Sequence, residues 1–345
     1  MIIPKTNKVG ITVQPPDGEP VSGHARVSIA GNSIHRIINP SLGNVATFHG
    51  VPSGETDVTV SFSGGGSYSQ KLSIPASGDF AATMAVAASA AADNLRLLKN
   101  FAPLVRLHPN DDYRPSSVGW YLKRVIMRLD RRVWADRQIL DKGEVRPANI
   151  AKQSSDGQSS GGRSKSSFFL QIPNDDDEQA TRRGSLASAV CYARIIERKH
   201  HKDLQYWFFY PYNGLSLGEH EGDWEHISIR VAEGKAVKYY FATHGDGQER
   251  YPRDVDLVGR HVVVYSARHS HASYPTAKTH VRSLAPDDHT ANGGPEWRTW
   301  RRLKTIDRRL GWVRYSGHWG EIGDLPWTSG PHGPAHQSPW SGDAF

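Results

Sequence analysis

The sequence predicts a mainly β protein: a small N-terminal β-sandwich followed by a larger, jelly-roll-like β-sandwich with long loops. Three observations carry this expectation. Short alternating runs recur up to residue 86, punctuated by Gly, Pro and Ser. Leu204-Gln-Tyr-Trp-Phe-Phe-Tyr210 is aromatic on both faces, as a central strand would be. The stretch from Asp223 to Arg230 alternates cleanly, with Asp223, Glu225, Ile227 and Ile229 on one face and Trp224, His226, Ser228 and Arg230 on the other. The expected division is an accessory module over 1–86, a helical linker over 87–101 and a second β domain over 102–345.

The elements follow in order. Val9–Val13, Ala25–Ile29, Ala46–His49, Thr56–Phe62 and Ser69–Ile74 read as strands, with Pro15-Pro-Asp-Gly18 as a turn. No cluster of His, Asp or Glu converges there, so chemistry is not expected in the first domain. Ala87 to Phe101 is Ala-rich, with Leu95, Leu97, Leu98 and Phe101 near helical spacing, and Pro103 ends it. Leu104 to Leu107 suits a short strand before a turn at Asp111 and Asp112, whose acids are expected to shape that turn. Ser154 to Ser167 and Pro173 to Glu178 read as surface loops. Cys191–Arg198 and Leu204–Tyr210, joined by Lys199-His-His-Lys-Asp203, read as a hairpin, with a helix over Leu186–Arg198 as the alternative. Val237–Thr243 and His261–Ser266 are the next strands. Trp297 to Arg314 places Trp297, Trp300, Leu303, Ile306 and Leu310 on one helical stripe between basic residues, which predicts an amphipathic basic helix. The Gly- and Pro-rich tail beyond Tyr315 is expected to pack over the sandwich and wall its site.

Composition narrows the partners. The net charge of +7 and a pI near 9.4 favour anionic ones, such as phospholipid headgroups, acidic glycans or nucleic acid. Aromatic and basic residues coincide in places, but no nucleic-acid motif accompanies them. Cys191 is the single cysteine, which excludes an intramolecular disulfide and a cysteine metal cluster. No apolar run has the length of a signal-peptide core or a transmembrane segment, so the expectation is a cytoplasmic product as synthesised, with signal-independent export left open.

The candidate site lies in His220-Glu-Gly-Asp-Trp-Glu-His226. Carboxylates on a core-directed face are costly without a compensating positive charge. Gly222 lets the chain bend so that His220 returns towards Asp223 and Glu225. These three residues are therefore candidate ligands of a divalent metal, with the amide of nearby Asn213 as a fourth. Oxygen-rich ligation with one imidazole suits Ca²⁺, Mg²⁺ or Mn²⁺, with Zn²⁺ also possible. The alternative is a solvated strand end whose acids pair with Arg or Lys. Histidines at the ends of later strands, His244, His269 and His271, would gather round the same rim if those strands are neighbours.

Several stretches carry a resemblance. Ala102-Pro-Leu-Val-Arg-Leu-His-Pro109, Leu204 to Asn213, His220 to His226, His269-Ser-His-Ala-Ser-Tyr-Pro275, Gly317-His-Trp-Gly320 and Gly330-Pro-His-Gly-Pro334 together resemble the vacuolar protein sorting-associated protein 62 family, in order over most of 102–340. The core pattern is also similar to the necrosis- and ethylene-inducing peptide-like cytolysins, whose hallmark is Gly-His-Arg-His-Asp-Trp-Glu. That resemblance implies a β-sandwich holding a divalent cation that engages sphingolipid headgroups, through residues matching His220, Asp223 and Glu225. The family's upstream Asp falls at Asn213, which removes a negative charge, and Gly222 replaces its second His. Gly43 to Gly54, with its Val-Pro-Ser-Gly turn, resembles carboxypeptidase-regulatory or transthyretin-like modules, implying an accessory role.

Two function classes follow. In the first, a metal held by Asn213, His220, Asp223 and Glu225 binds an anionic or sugar headgroup of a glycan or lipid, with His244, His269 and His271 orienting it, as in a membrane-directed effector. In the second, the same ion serves a hydrolase or lyase acting on a glycan or phosphodiester, with His244 or His271 as general acid-base.

Overall fold

Period-two alternation in the first part of the chain is built into two facing sheets in the computed structural model, which describes residues 7–14, 25–30, 35–38, 45–62, 67–76, 78–85, 90–131, 135–153, 167–244, 247–283 and 285–341. The chain divides into two units, Met1–Arg96 and Leu97–Phe345. The first holds β1 (Asn7–Gln14), β2 (Ala25–Ile29), β3 (His35–Ile38), β4 (Val45–Val51), β5 (Gly54–Phe62), β6 (Ser67–Ile74) and β7 (Phe80–Ala85). They form sheets ordered β4-β1-β7 and β3-β2-β5-β6. The inward residues of both sheets, among them Val9, Ile11, Val27, Phe48, Val58 and Ile74, make one dry core. Val51-Pro-Ser-Gly54 is the turn between β4 and β5, as read from the sequence. The Pro15-Pro-Asp-Gly18 turn, the loop over 154–166 and the Gly245-Asp246 pair lie outside the described residues.

Helix α1 (Ala90–Phe101) spans the division. Its Leu98 and Phe101 are buried in the core of the second unit. That unit continues with β8 (Leu104–Arg106), α2 (Val118–Leu122), β9 (Ile126–Asp130), β10 (Arg137–Leu140), β11 (Ser167–Gln171) and α3 (Glu178–Arg183). The predicted hairpin follows as β12 (Cys191–Glu197) and β13 (Lys202–Asn213), joined in register with Tyr192 opposite Trp207. Only Leu186–Ser188 ahead of it is helical, as a single tight turn. Next come β14 (His220–Ala232), β15 (Lys235–Phe241), β16 (Gln248–Arg250), β17 (Leu257–Val258), β18 (His261–Ser266), β19 (Ser273–Tyr274), β20 (Thr279–His280), β21 (Asp288–His289), β22 (Glu296–Arg298) and β23 (Leu303–Thr305).

The central sheet of this unit runs β16-β15-β14-β13-β12-β23. Its two faces feed two cores, which is why β13 is buried along nearly all its length. On one face Tyr206, Phe208, Tyr210, Ile227 and Ile229 meet Val105, Val264 and Trp297 from the sheet β17-β18-β8-β22. On the other, Trp207, Phe209 and Trp224 meet α2, β9, β11 and the tail residues Trp312, Tyr315, Trp319 and Trp340. The face assignment read from Asp223 to Arg230 therefore holds, and the tail covers the sheet as expected.

The basic helix expected over Trp297–Arg314 does not form. The stretch is β22, a tight turn at Thr299–Arg302, β23 and a short helix α4 (Gly311–Arg314). The apolar residues that looked like one stripe belong to different cores: Trp297 packs with Phe208 in one, Ile306 with Trp312 in the other. A chain that must serve both faces of a sheet cannot do so as a single helix with one apolar side.

One feature of the central sheet positions the candidate site. The β12 pairing ends at Trp207 and the β15 pairing at Ile227, while β13 and β14 stay paired out to Asn213 opposite His220. The two strands thus project beyond the sheet as a ribbon. Other segments brace it: Ser116 N donates to Phe209 O at 2.8 Å, and Gly214 N to His269 O at 3.1 Å. At Gly222 the backbone has φ +63°, and a Cβ there would stand 2.2 Å from Trp319 O, so only glycine lets the tail close on the ribbon.

Candidate functional site

At the tip of this ribbon the inward alternation that buries Ile229 and Ile227 continues to Glu225 and Asp223. The strands carrying the later histidines are not neighbours in one sheet, because β15 belongs to the central sheet and β18 to the facing one. Their ends nevertheless meet, with Ser273 N donating to Ala242 O at 3.1 Å. This brings the turn after β18 onto the ribbon. Both His269 and His271 take left-handed backbone conformations in it, φ 68° and 57°, a strain that tertiary contacts must hold in place.

His271 is 1% exposed and stacks flat on Tyr210, with ring centroids 3.8 Å apart. Its Nδ1 donates to Asp223 Oδ2 at 2.8 Å, and its Nε2 lies 3.7 Å from Asp111 Oδ2. Asp111 does shape its turn, accepting from Tyr113 N at 3.0 Å, and also receives His269 N at 3.1 Å. Asp112 remains on the exposed side of that turn. His269 itself meets Arg268 and the Tyr113 ring.

Asn213 donates through Nδ2 to Asp223 Oδ2 and Ser270 O, both at 3.4 Å, and its Oδ1 accepts from Leu215 N at 3.0 Å. Its amide oxygen is thereby committed to the turn. His220 donates Nδ1 to Gly222 O at 2.7 Å, which leaves Nε2 as the atom able to take a ligand. Burial and the charges of Asp223 and Asp288 push the Glu225 carboxyl well above the usual range. The neighbouring Glu221, 7% exposed, accepts from Ile172 N at 2.8 Å, and burial pushes it up to about 8.

Asp288 was not anticipated. It is fully buried, accepts from Ser270 Oγ and Tyr274 Oη, and lies 3.5 Å from His244 Nε2 and 3.8 Å from Arg282. Burial lowers the His244 pKa, opposed by Asp288. The only sequence signal for Asp288 was its place in Asp287-Asp288-His289. The acidic run ahead of α3 has a simpler fate: Lys142 Nζ sits 2.8 Å from both Asp175 and Asp177 and bridges them.

Asn213, His220, His244 and Arg282 line a cleft of about 1630 Å³, whose other walls come from Asp130, Asp136 and Phe169, from the turn at Leu215 to Glu219 and from the tail, including His318, Trp327 and His332. Asp223 and Asp288 stand directly behind that lining, in contact with Asn213 and His244. Leu217, Leu325 and Trp327 put apolar surface at the cleft, 79%, 45% and 59% exposed. Among the described residues no three His, Cys, Asp or Glu side chains converge as a metal-binding group. Asp223 and Asp288 lie near enough to Glu225 for their charges to raise its carboxyl, and carboxylate oxygens are the donors that hard divalent ions take.

The chain is 22% identical over 279 residues to vacuolar protein sorting-associated protein 62 of Saccharomyces cerevisiae, covering 64% of this chain and 58% of that one. It is 23% identical over 189 residues to TDA6 of the same organism, covering 38% and 40% respectively. It therefore spans about half the length of the curated relatives it matches. Among solved structures, Necrosis and Ethylene inducing Protein 2 from the causal agent of cocoa's Witches Broom disease overlaps 61% of this chain and 72% of its own, at 12% identity and a TM-score of 0.32. The description of the vacuolar protein sorting-associated protein 62 family matches residues 81–286, from the end of the first unit through the ribbon and the Asp223–His271 pair, and the chain belongs to that family.

Proposed function

We propose that this protein binds an anionic or sugar headgroup, of a glycan or a lipid, in the cleft between the ribbon and the tail. In this reading a divalent cation is held by Asp223 and Glu225 with His220 Nε2, while Asn213 positions Asp223 through its Nδ2, and Ca²⁺, Mg²⁺ or Mn²⁺ suits the oxygen-rich set better than Zn²⁺. The observation that carries the reading is that two buried carboxylates, Asp223 and Asp288, stand against Asn213 and His244 of the polar cleft wall, near enough to Glu225 for their charges to raise it. Such crowding is unfavourable unless a proton or a cation relieves it, and a cation there would present open positions to ligand oxygens. His244 and Arg282 stand on the same wall as hydrogen-bond donors for those oxygens. His271 orients Asp223 from behind and is sealed from the cleft, so it cannot meet a substrate. The hydrolytic alternative is thereby reduced to His244 as its acid-base group.

The test is calorimetric titration of chelator-treated full chain with Ca²⁺, Mg²⁺ and Mn²⁺, followed by glycan-array and anionic-vesicle binding with and without the ion that binds. One divalent ion per chain is expected, with ligand retention that requires it. Glu225→Gln and Asp223→Asn should each lower cation affinity by at least about tenfold, the effect of losing roughly 1.4 kcal/mol of interaction. Undiminished affinity in the folded variants would remove the cation from the reading.

A further inference from the structure

The cleft is also lined by a second pair of groups, His318 and His332, from the two Gly-flanked motifs of the tail. Sequence alone gives them no role. The structure places their strands side by side: His318 bridges Phe169 on one side and His332, antiparallel, on the other. Residues directly opposite in an antiparallel pair project their side chains to the same face, about 4.5–5.5 Å apart at Cβ. The two imidazoles accordingly lie with centroids 4.2 Å apart and planes inclined by 41°.

Their hydrogen bonds are reciprocal. His318 Nδ1 donates to Gly330 O at 2.6 Å and His332 Nδ1 donates to Gly317 O at 3.3 Å. A carbonyl oxygen can only accept, so each ring carries its proton on Nδ1, and in the neutral ring the lone pair is on Nε2. Holding Nδ1 on a backbone carbonyl is how metal-ligating histidines are oriented. The close approach is built in as well. A Cβ on Gly330 would stand 2.3 Å from Gly320, and one on Gly333 would stand 2.7 Å from Trp319 Nε1, so larger residues would part the segments that carry the rings.

A purely structural histidine pair would need the two Nδ1 bonds and nothing more. It would not need both rings set on the wall of a cleft of about 1630 Å³ that Asp130 and Asp136 also line. We infer that His318 and His332 form a two-imidazole site for a first-row transition ion, Zn²⁺, Cu²⁺ or Ni²⁺, on the tail wall of the cleft. Imidazole nitrogen selects these ions over Ca²⁺ and Mg²⁺, which prefer oxygen. The protein supplies two ligands at about 2.0–2.1 Å each, and water or an oxygen or nitrogen of a bound ligand completes the shell. The site does not depend on the carboxylates behind Asn213 and His244.

The test uses chelator-treated full chain loaded with one equivalent of Cu²⁺ for electron paramagnetic resonance, and with Zn²⁺ for calorimetry. Two coupled imidazole nitrogens are expected in the copper spectrum, and one Zn²⁺ per chain that survives Glu225→Gln. His332→Gln and His318→Gln should each weaken Zn²⁺ by more than the roughly 10–100-fold that loss of a mere supporting partner costs, with urea midpoints confirming folding. If His318→Gln does not fold, His332→Gln and the wild-type copper spectrum still decide the matter. Fewer than two nitrogens, no zinc uptake, or zinc affinity unchanged in His332→Gln would each overturn the assignment. Loss of zinc in Glu225→Gln with retention in His332→Gln would move the ion to the carboxylates.

Discussion

Replacing Gly222 by alanine should be among the most damaging single-methyl additions to this chain. Two costs combine there. The backbone sits at φ +63°, where an L-residue with a Cβ loses about 1–2 kcal/mol. The new methyl would also stand 2.2 Å from Trp319 O and 2.8 Å from Trp319 C, backbone atoms that cannot swing aside. Overpacking of this kind adds roughly 1–3 kcal/mol, so a total of about 2–5 kcal/mol is expected. Two other glycines separate the costs. Gly234, in the turn between β14 and β15, has φ +71° with nothing within 4 Å, so Gly234→Ala should show the backbone cost alone. Gly320 lies across the contact, where a Cβ would meet Glu221 O at 1.9 Å without any left-handed φ, so Gly320→Ala should show the clash alone. All ten tryptophans fall after residue 96, so urea unfolding followed by tryptophan fluorescence reports on the second unit without interference from the first. Equal losses for Gly222→Ala and Gly234→Ala would mean that the tail does not press on the ribbon in solution, and the closed site described above would lose its brace.

Other outcomes follow from buried charges. Glu221, whose folded pKa of about 8 exceeds the ordinary unfolded value near 4.3, keeps a proton in the folded state that the unfolded chain sheds. Wild-type stability should therefore fall as pH rises from about 4.5 to 8, by at most ~1.4 kcal/mol per pH unit from this group. Glu221→Gln removes that dependence while keeping an acceptor for Ile172 N, and its advantage in urea midpoint, measured in chelator, should grow with pH; a constant offset from pH 5 to 8 would contradict the burial. Asp203, fully buried, receives Arg230 Nε at 2.8 Å and Arg198 at 3.4 Å. Asp203→Ala should cost about 3 kcal/mol, the low end for breaking a buried pair because both guanidinium groups retain some solvent. Adding Arg230→Ala should cost little more, and strictly additive losses would show that the two are not coupled.

Where local pattern decides structure, the sequence was a sufficient guide. Alternation in residues 223–230 correctly separates Ile227 and Ile229 from Trp224, and the aromatic run in β13 correctly implies burial on both faces. Expectations that needed to know which core a residue joins fared worse. Trp297 and Ile306 share a plausible-looking helical stripe only until they are seen to face different sides of the sheet. In the site, His271 and Asp223 were both named, yet their hydrogen bond spans 48 residues and depends on a strained turn that no local pattern encodes. Asp111 was read as a turn residue and is one, but its second carboxylate oxygen reaches a backbone amide 158 residues away. His318 and His332 each sat in a recognisable motif, and only the strand register sets them face to face.

The ribbon that projects past the central sheet also has a consequence for the order in which the molecule matures. Its flanks are held by residues near 116, by the turn at 267–272 and by the tail around Trp319, segments far apart along the chain. Contacts between distant segments carry the largest loop-closure cost and tend to form late. The sheet can thus be complete, with β12 to β15 paired, while the pocket still has no back or lid. Competence to bind would then arrive as the last event of folding, and a partly folded chain would be stable before it is active.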